Sequence, residues 1–63
     1  MPLTERELEV LRNVDAGGTA ADIAHRVHLS PGTVRNYLSS AMGKTGARTR
    51  VEAARIAERR GWL

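Results

Sequence analysis

Residues 20–38, AADIAHRVHLSPGTVRNYL, contain two short amphipathic segments joined by a turn of about three residues. The first, over about 20–27, places its apolar residues on one narrow helical face. The second begins with Ser30 as N-cap and Pro31 at the first helical position, where the missing N–H has no cost. Two short helices with so brief a connection cross at a large angle, so this stretch predicts a helix-turn-helix.

Further helices are predicted on both sides of this unit. Thr4 and Glu7 have capping-box spacing and open a helix over about 4–16, which Gly17-Gly18 would end. Thr49 and Glu52 have the same spacing and open a helix over about 50–60. With helices at about 20–27 and 31–43 between them, the expected fold is all-α. It is a four-helix bundle containing a helix-turn-helix, formed as one domain over residues 1–63.

The composition predicts a small aliphatic core. A chain of 63 residues buries only about 60% of the surface that its unfolded form exposes. It contains no Cys and no Phe, so disulfides and thiolate metal sites are excluded. The predicted core positions of the last two helices are Val34, Leu38, Ala41 and Met42, then Ala53, Ile56 and Ala57. Trp62-Leu63 is expected to fold back onto this core. No apolar run approaches membrane-spanning length and no signal-peptide pattern is present, so we expect a cytoplasmic protein.

Charge divides the chain into two unequal parts. Residues 1–22 carry five acidic and two basic side chains, whereas residues 23–63 carry two acidic and eight basic ones. Between Asp22 and Glu52 there is no acidic residue at all. A basic half on a small domain favours a polyanionic partner, although a solvated surface is the alternative.

The outer face of the third predicted helix is polar, compact and free of acids. It carries Gly32, Arg35, Asn36, Ser39, Ser40 and Gly43. Arg can bond to guanine edges, Asn to adenine and Ser to either, so we expect Arg35, Asn36 and Ser39 to contact bases in a major groove. The N-termini of the second and third helices, at Thr19 and Ser30, offer backbone N–H groups to phosphates.

The sequence also resembles a known family along essentially its whole length. The residues that carry the resemblance are Leu3 to Leu11 (LTERELEVL), Asp22-Ile23-Ala24, Leu29 to Tyr37 (LSPGTVRNY), Lys44, and Arg48 to Ala53 (RTRVEA). They are similar to the LuxR-type DNA-binding domain, also called the NarL/FixJ effector domain. The run from Thr33 to Tyr37 and the ending Gly61-Trp62-Leu63 look most like its response-regulator branch.

This resemblance implies a four-helix domain that binds double-stranded DNA as a homodimer and regulates transcription. It implies base contact by Arg35 and backbone contacts by Thr33, Tyr37, Lys44 and Arg48. The dimer would form through the fourth helix, where a spare stripe holds Val51, Ala54, Arg55 and Glu58; packing of this stripe on the core is the alternative. RNA polymerase and an N-terminal receiver or sensor domain are the further implied partners.

Other functions are weighed against this one. A helical protein–protein interaction module with no DNA role would explain the spare stripe but not the acid-free face. His25 and His28 are three residues apart, but no carboxylate or thiol obviously completes a metal site. A turn position for His28 is preferred, since His tolerates positive φ better than most residues. No convergent acid–base set indicates an enzyme, so we expect neither catalysis nor a cofactor.

Overall fold

The computed structural model describes residues 2–14 and 16–63 and contains four α-helices. Their bounds are Glu5–Arg12 (α1), Ala20–Val27 (α2), Pro31–Thr45 (α3) and Arg50–Arg59 (α4). Helix α3 packs against each of the other three helices, and α1 also contacts α2 and α4. The predicted all-α bundle is confirmed, and α2 and α3 form its helix-turn-helix.

Each helix begins at a hydroxyl side chain that accepts the backbone N–H of the residue three positions later. These N-caps are Thr4, Thr19, Ser30 and Thr49. In α1 the predicted capping box is closed by Glu7, and α2 has a capping box closed by Asp22; both carboxylates accept the N–H of the cap residue. In α4 the carboxylate of Glu52 instead accepts the N–H of Arg48, at 3.2 Å. These local bonds satisfy N–H groups that a helix leaves unpaired at its start.

Three helices are followed by the same left-handed turn. The left-handed residues are His28, Gly46 and Gly61, with φ of 60°, 76° and 75°. The next residue donates its N–H to the carbonyl five positions back: Leu29 to Ala24, Ala47 to Met42, and Trp62 to Ala57, at 2.9, 3.0 and 2.8 Å. The side chains of all three donors pack against the core. The turn position predicted for His28 and the packing predicted for Trp62 are therefore confirmed.

The end of α1 differs from the prediction. The helix ends at Arg12 rather than at 16, because Asn13 turns its side-chain amide back onto the carbonyl four residues earlier, at 2.9 Å. Arg26 of α2 then donates to the backbone carbonyls of Asn13 and Gly17, at 3.1 and 2.9 Å. These carbonyls are held by side chains instead of a further helical turn. Asp15, which falls within the predicted helix, lies outside the described residues.

Helix α3 extends past its predicted end at 43 and stops at Thr45. Gly43 keeps the helical conformation, and Gly46 provides the left-handed residue that ends the helix. The hydroxyl of Thr45 donates to the carbonyl of Ala41 at 2.8 Å, which ties the last turn to the one before it.

The core is aliphatic, as predicted. Its largest fully buried side chains are Val10, Leu11, Ile23, Val34 and Leu38. On α3, Ala41 is buried with these residues, and Met42 is half-buried against them. The apolar stripe predicted for α3 is thus confirmed, with Met42 at its margin.

The two stripes predicted on α4 are partly wrong. Ala53 and Ala57 are buried as expected, but Ala54, predicted to lie in the spare stripe, is 2% exposed and belongs to the core. Ile56, predicted as core, is only half-buried. At about 100° per residue the three alanines occupy one arc of about 100°, so a single wide face of small side chains packs inward.

We expect opposite effects from Ala substitutions at two glycines three residues apart. A Cβ at Gly43 or Gly46 would meet no atom within 4 Å, so neither change is opposed by sterics. Gly43→Ala should stabilise the fold by about 0.5–1 kcal/mol, because Gly is a poor residue inside a helix. Gly46→Ala should destabilise it by about 1 kcal/mol, because φ of 76° is unfavourable for a residue with a Cβ.

Urea denaturation followed by the fluorescence of Trp62, the only Trp, measures both changes. Shifts in the same direction for the two variants would contradict the assigned end of α3.

Candidate nucleic-acid interface

The side of α3 away from the core presents a compact polar surface. We define the outer face of α3 as Gly32, Arg35, Asn36, Ser39 and Gly43, which lie within an arc of about 100° opposite Val34 and Leu38. Arg35, Asn36, Ser39 and Gly43 are exposed and Gly32 is half-buried. The structure thus brings the three predicted base-contacting residues onto one exposed face, where Arg35 is the only charged side chain.

Ser40 does not belong to this outer face. It was predicted there, but it is half-buried and its hydroxyl donates to the carboxylate of Glu7 in α1. The reason is its helical phase, since Ser40 lies on the side of α3 that also carries Lys44, one turn further on.

The N-terminus of α3 differs electrostatically from the other three. Helices α1, α2 and α4 have an acidic residue in the first turn, whereas α3 has none. Its positive dipole end is therefore not offset by a carboxylate of its own. The hydroxyl of Ser30 accepts the N–H of Thr33 at 3.2 Å and donates to the Thr33 hydroxyl oxygen at 2.9 Å. Because Thr33 accepts that bond, its own O–H remains able to donate outward.

The N-terminus of α2 is less suited to an anion. The backbone N–H of Thr19 already donates to Asp22 Oδ2 at 2.9 Å, and the Thr19 hydroxyl oxygen accepts from the N–H of Asp22. The carboxylate of Asp22 thus occupies the position where the sequence predicts a phosphate. Thr19 is exposed, and its hydroxyl proton is the donor that it can still offer.

A second row of residues runs along α3 beside the outer face. We call Thr33, Tyr37, Ser40 and Lys44 the flank of α3, because their spacing of four, three and four residues aligns them along one side. Thr33 and Tyr37 are half-buried. Three of the residues predicted to contact the DNA backbone therefore lie on this flank, and Arg48 is exposed shortly after it.

The flank meets α1 at the buried carboxylate of Glu7, whose side chain is 3% exposed. Glu7 Oε1 accepts the backbone N–H of Thr4 at 2.7 Å and a proton of Lys44 Nζ at 2.9 Å, and Oε2 accepts from Ser40. Burial raises the pKa of Glu7, but the hydrogen bonds from Ser40 and Thr4 and the charge of Lys44 outweigh it and lower the pKa to about 2.

The pairing of Glu7 with Lys44 was missed by the sequence analysis, which assigned Glu7 to the cap of α1 and Lys44 to a phosphate. The two residues are 37 positions apart, so no local spacing indicates the contact. The one signal in the sequence is that Ser40 and Lys44 share a helix side one turn apart. The structural role of Arg26 was also missed, because the backbone carbonyls that it binds after α1 are 9 and 13 residues away.

The residues predicted for the dimer do not all share one surface. Val51 is 42% exposed and is the one large hydrophobic side chain exposed in the described part of the chain. Arg55 and Glu58 are exposed beside it. Ala54 is buried in the core, so it contributes no accessible side chain to this surface.

The alternative sites weighed in the sequence gain no support from the geometry. Among residues 2–14 and 16–63 there is no group of three His, Cys, Asp or Glu side chains that could hold a metal ion. His28 serves as the left-handed cap of α2. Within the same ranges no helix has the length and apolar character needed to cross a membrane.

Comparison with known proteins gives one consistent result. Residues 1–57 match the GerE family, described as bacterial regulatory proteins of the luxR family. The response regulator RamR of Streptomyces coelicolor is 56% identical over 62 residues, which are 98% of this chain and 31% of that protein. The transcriptional regulatory protein DesR of Bacillus subtilis is 41% identical with the same two coverages.

The solved structure of the transcription factor GerE has the same fold. It superposes with a TM-score of 0.88 at 32% identity and covers 100% of this chain and 94% of that one. The present chain therefore corresponds to nearly all of the GerE chain but to 31% of the length of RamR and DesR.

The pKa of Glu7 makes a prediction about acid stability. Because the folded pKa, about 2, lies below the ordinary value of 4.5, ionised Glu7 stabilises the native state above pH 4.5. That contribution, on the order of 3 kcal/mol, is lost as the pH falls through the window from 4.5 to about 2. Glu7→Gln should therefore unfold more easily at pH 7 and lose stability less steeply across this window.

Urea denaturation at a series of pH values, followed by Trp62 fluorescence, tests this expectation. Glu58→Gln removes an exposed carboxylate of α4 and controls for the change in net charge. An acid dependence in Glu7→Gln as steep as in the unmodified chain would contradict the role assigned to Glu7.

Proposed function

Because this chain belongs to the LuxR family of bacterial regulatory proteins and is a helix-turn-helix DNA-binding domain, we propose that α3 enters the major groove with Arg35 as its main base contact. The observation that carries this proposal is the outer face of α3, which is exposed, compact and free of acids. A B-DNA major groove is about 12 Å wide, about the diameter of an α-helix with its side chains. Small residues on the outer face allow the close approach that such a fit requires.

The base contacts follow from the reach and chemistry of three side chains. The guanidinium of Arg35 can donate two parallel hydrogen bonds to O6 and N7 of a guanine. Asn36 has the donor and acceptor that match an adenine, and Ser39 can bond to either base. Ser39 is short, so its contact with a base requires the closest approach of the three.

The proposed contacts with DNA phosphates differ in support, which depends on the exposure of each residue and on the hydrogen-bond donors that it has free. Ser30 and Thr33 lie at the helix N-terminus that has no acid in its first turn, which supports phosphate binding there. Arg48 is exposed and Lys44 is paired with Glu7. Tyr37 on the flank is half-buried, and Thr19, where Asp22 already lies, has the weakest support.

We also propose that two copies pair through α4 when they occupy two half-sites. Val51 supplies the apolar centre of this surface, with Arg55 and Glu58 as its polar neighbours. Ala54 is buried in the core and is not part of this proposed surface. The exposed area is small, so pairing by α4 alone should be weak without DNA.

The wider context is proposed from the relatives. The chain spans 31% of the length of RamR, which is a response regulator, so we propose that residues 1–63 act as one domain alongside a receiver or sensor domain. RNA polymerase would be the partner for regulation, and the cytoplasm the place of action. The function is binding without catalysis, since the relatives are transcriptional regulators. A protein-interaction module with no DNA role is the competing function, and it leaves the outer face of α3 unexplained.

Arg35→Ala should weaken binding to a site selected from random duplexes by about 1–3 kcal/mol and relax the preference for one base pair. Fluorescence anisotropy against the selected site and its single-base variants measures both effects. Arg12→Ala, which removes an exposed Arg at the end of α1, should leave the base preference unchanged. Unaltered affinity and preference in Arg35→Ala would refute the assignment of α3 to the groove.

Val51→Glu should reduce cooperative binding to a duplex with two half-sites while leaving binding to a single half-site unchanged, since it places a charge at the centre of the proposed dimer surface. Titrations of both duplexes by anisotropy give the cooperativity, with the single half-site as internal control. If cooperativity is equal in the variant and the unmodified chain, dimerisation through α4 is wrong.

A further inference from the structure

We infer that Glu7 is a positioning residue for DNA binding: its buried carboxylate holds Lys44 on the flank of α3 so that the ammonium meets a backbone phosphate. This inference rests on the proposed function, in which α3 lies in the major groove. It assigns a binding role to a residue of α1 that belongs to neither helix of the helix-turn-helix.

The carboxylate of Glu7 is fixed independently of Lys44. Its Oε1 accepts the backbone N–H of Thr4 at 2.7 Å, and its Oε2 accepts the hydroxyl of Ser40. With its side chain 3% exposed, Glu7 has little room to change position. The atom that binds the ammonium of Lys44 is therefore anchored by the start of α1 and the middle of α3 before Lys44 is considered.

Lys44 can bind Glu7 and a phosphate at the same time. An ammonium has three N–H donors, and Glu7 Oε1 accepts one of them at 2.9 Å. The side chain of Lys44 is 35% exposed, and Glu7 uses one of its three N–H donors, which leaves donors for a second acceptor. Its place on the flank, in line with Thr33 at the other end of α3, points it to the same side as the phosphate-binding helix N-terminus.

Two opposing electrostatic effects decide whether the pair attracts a phosphate. A phosphate in contact with the ammonium lies about 3 Å from it, and about twice as far from the Glu7 carboxylate on the other side. Because Coulomb energy falls as the inverse of distance, the attraction exceeds the repulsion. The long side chain of Lys44 is also ordered before DNA arrives, so less conformational entropy is lost on binding.

The salt dependence of binding to a random duplex tests this inference. One phosphate contact contributes about 0.9 to the slope of log affinity against log salt. Without that contact, the decrease in affinity between 50 and 200 mM salt should be about 3.5-fold smaller. We expect that flattening in Lys44→Ala, the same flattening in Glu7→Gln, and no further change in the double variant.

Two controls separate positioning from stability. Glu5→Gln removes an exposed carboxylate from the same helix and should keep the slope of the unmodified chain. Ser40→Ala removes one hydrogen bond from Glu7 but keeps its charge and its pairing with Lys44, so it should lower thermal stability without changing the slope. Circular dichroism under the assay conditions confirms that each variant is folded.

A measurement without substitutions keeps the inference open to refutation if Glu7→Gln does not fold. Lys44 is the only lysine, so isotope-labelled lysine gives one side-chain ammonium signal. We expect this signal to shift when duplex is added and to stay protected from exchange.

The inference is overturned if Glu7→Gln keeps the full slope, if its effect adds to that of Lys44→Ala, or if the ammonium signal is unchanged by saturating duplex. In these cases the base preference that depends on Arg35 still stands. The proposed function itself is overturned if the unmodified chain shows no base preference or does not bind duplex DNA.

Discussion

Helix α3 is buried on one side, where its buried residues Val34, Leu38 and Ala41 lie, and it packs against all three other helices. The other three helices all pack against α3, so the core and the exposed surface are set together. Most of the residues opposite the stripe are exposed and remain available to contact another molecule. A single packing constraint thus positions the outer face of α3 as a rigid surface, which is what a helix in a DNA groove requires.

The turns that end the helices determine how the residues of the candidate site are oriented. The left-handed turns at His28, Gly46 and Gly61 each fold the following residue against the core. The first two turns thereby tie α2 to α3 and α3 to α4 at a defined angle. At the first of these turns the chain passes directly to Ser30 and the acid-free start of α3. The backbone geometry that ends α2 therefore also fixes the direction in which the N-terminus of α3 points.

Glu7 shows how one side chain can serve local and tertiary structure at once. It closes the capping box of α1, which the spacing from Thr4 predicts, and it also binds Ser40 and Lys44 of α3. A buried carboxylate without these donors would carry a large desolvation penalty, whereas with them its pKa is lowered. The buried charge is thus stabilised by three hydrogen-bond donors, which come from Thr4 before α1 and from Ser40 and Lys44 of α3.

The sequence by itself determined the number of helices, all four N-caps, the left-handed residue at His28 and the outer face of α3 apart from Ser40, which it wrongly included. These features depend on hydrogen bonds and periodicities that span a few residues, so they are visible in local spacing. Only the tertiary structure showed where α1 ends, because the local bond of the Asn13 side chain is joined there by Arg26, which binds the carbonyl of Asn13 from 13 residues away. It also decided that Ala54 is buried and that Lys44 pairs with Glu7, because both facts depend on which helices pack together.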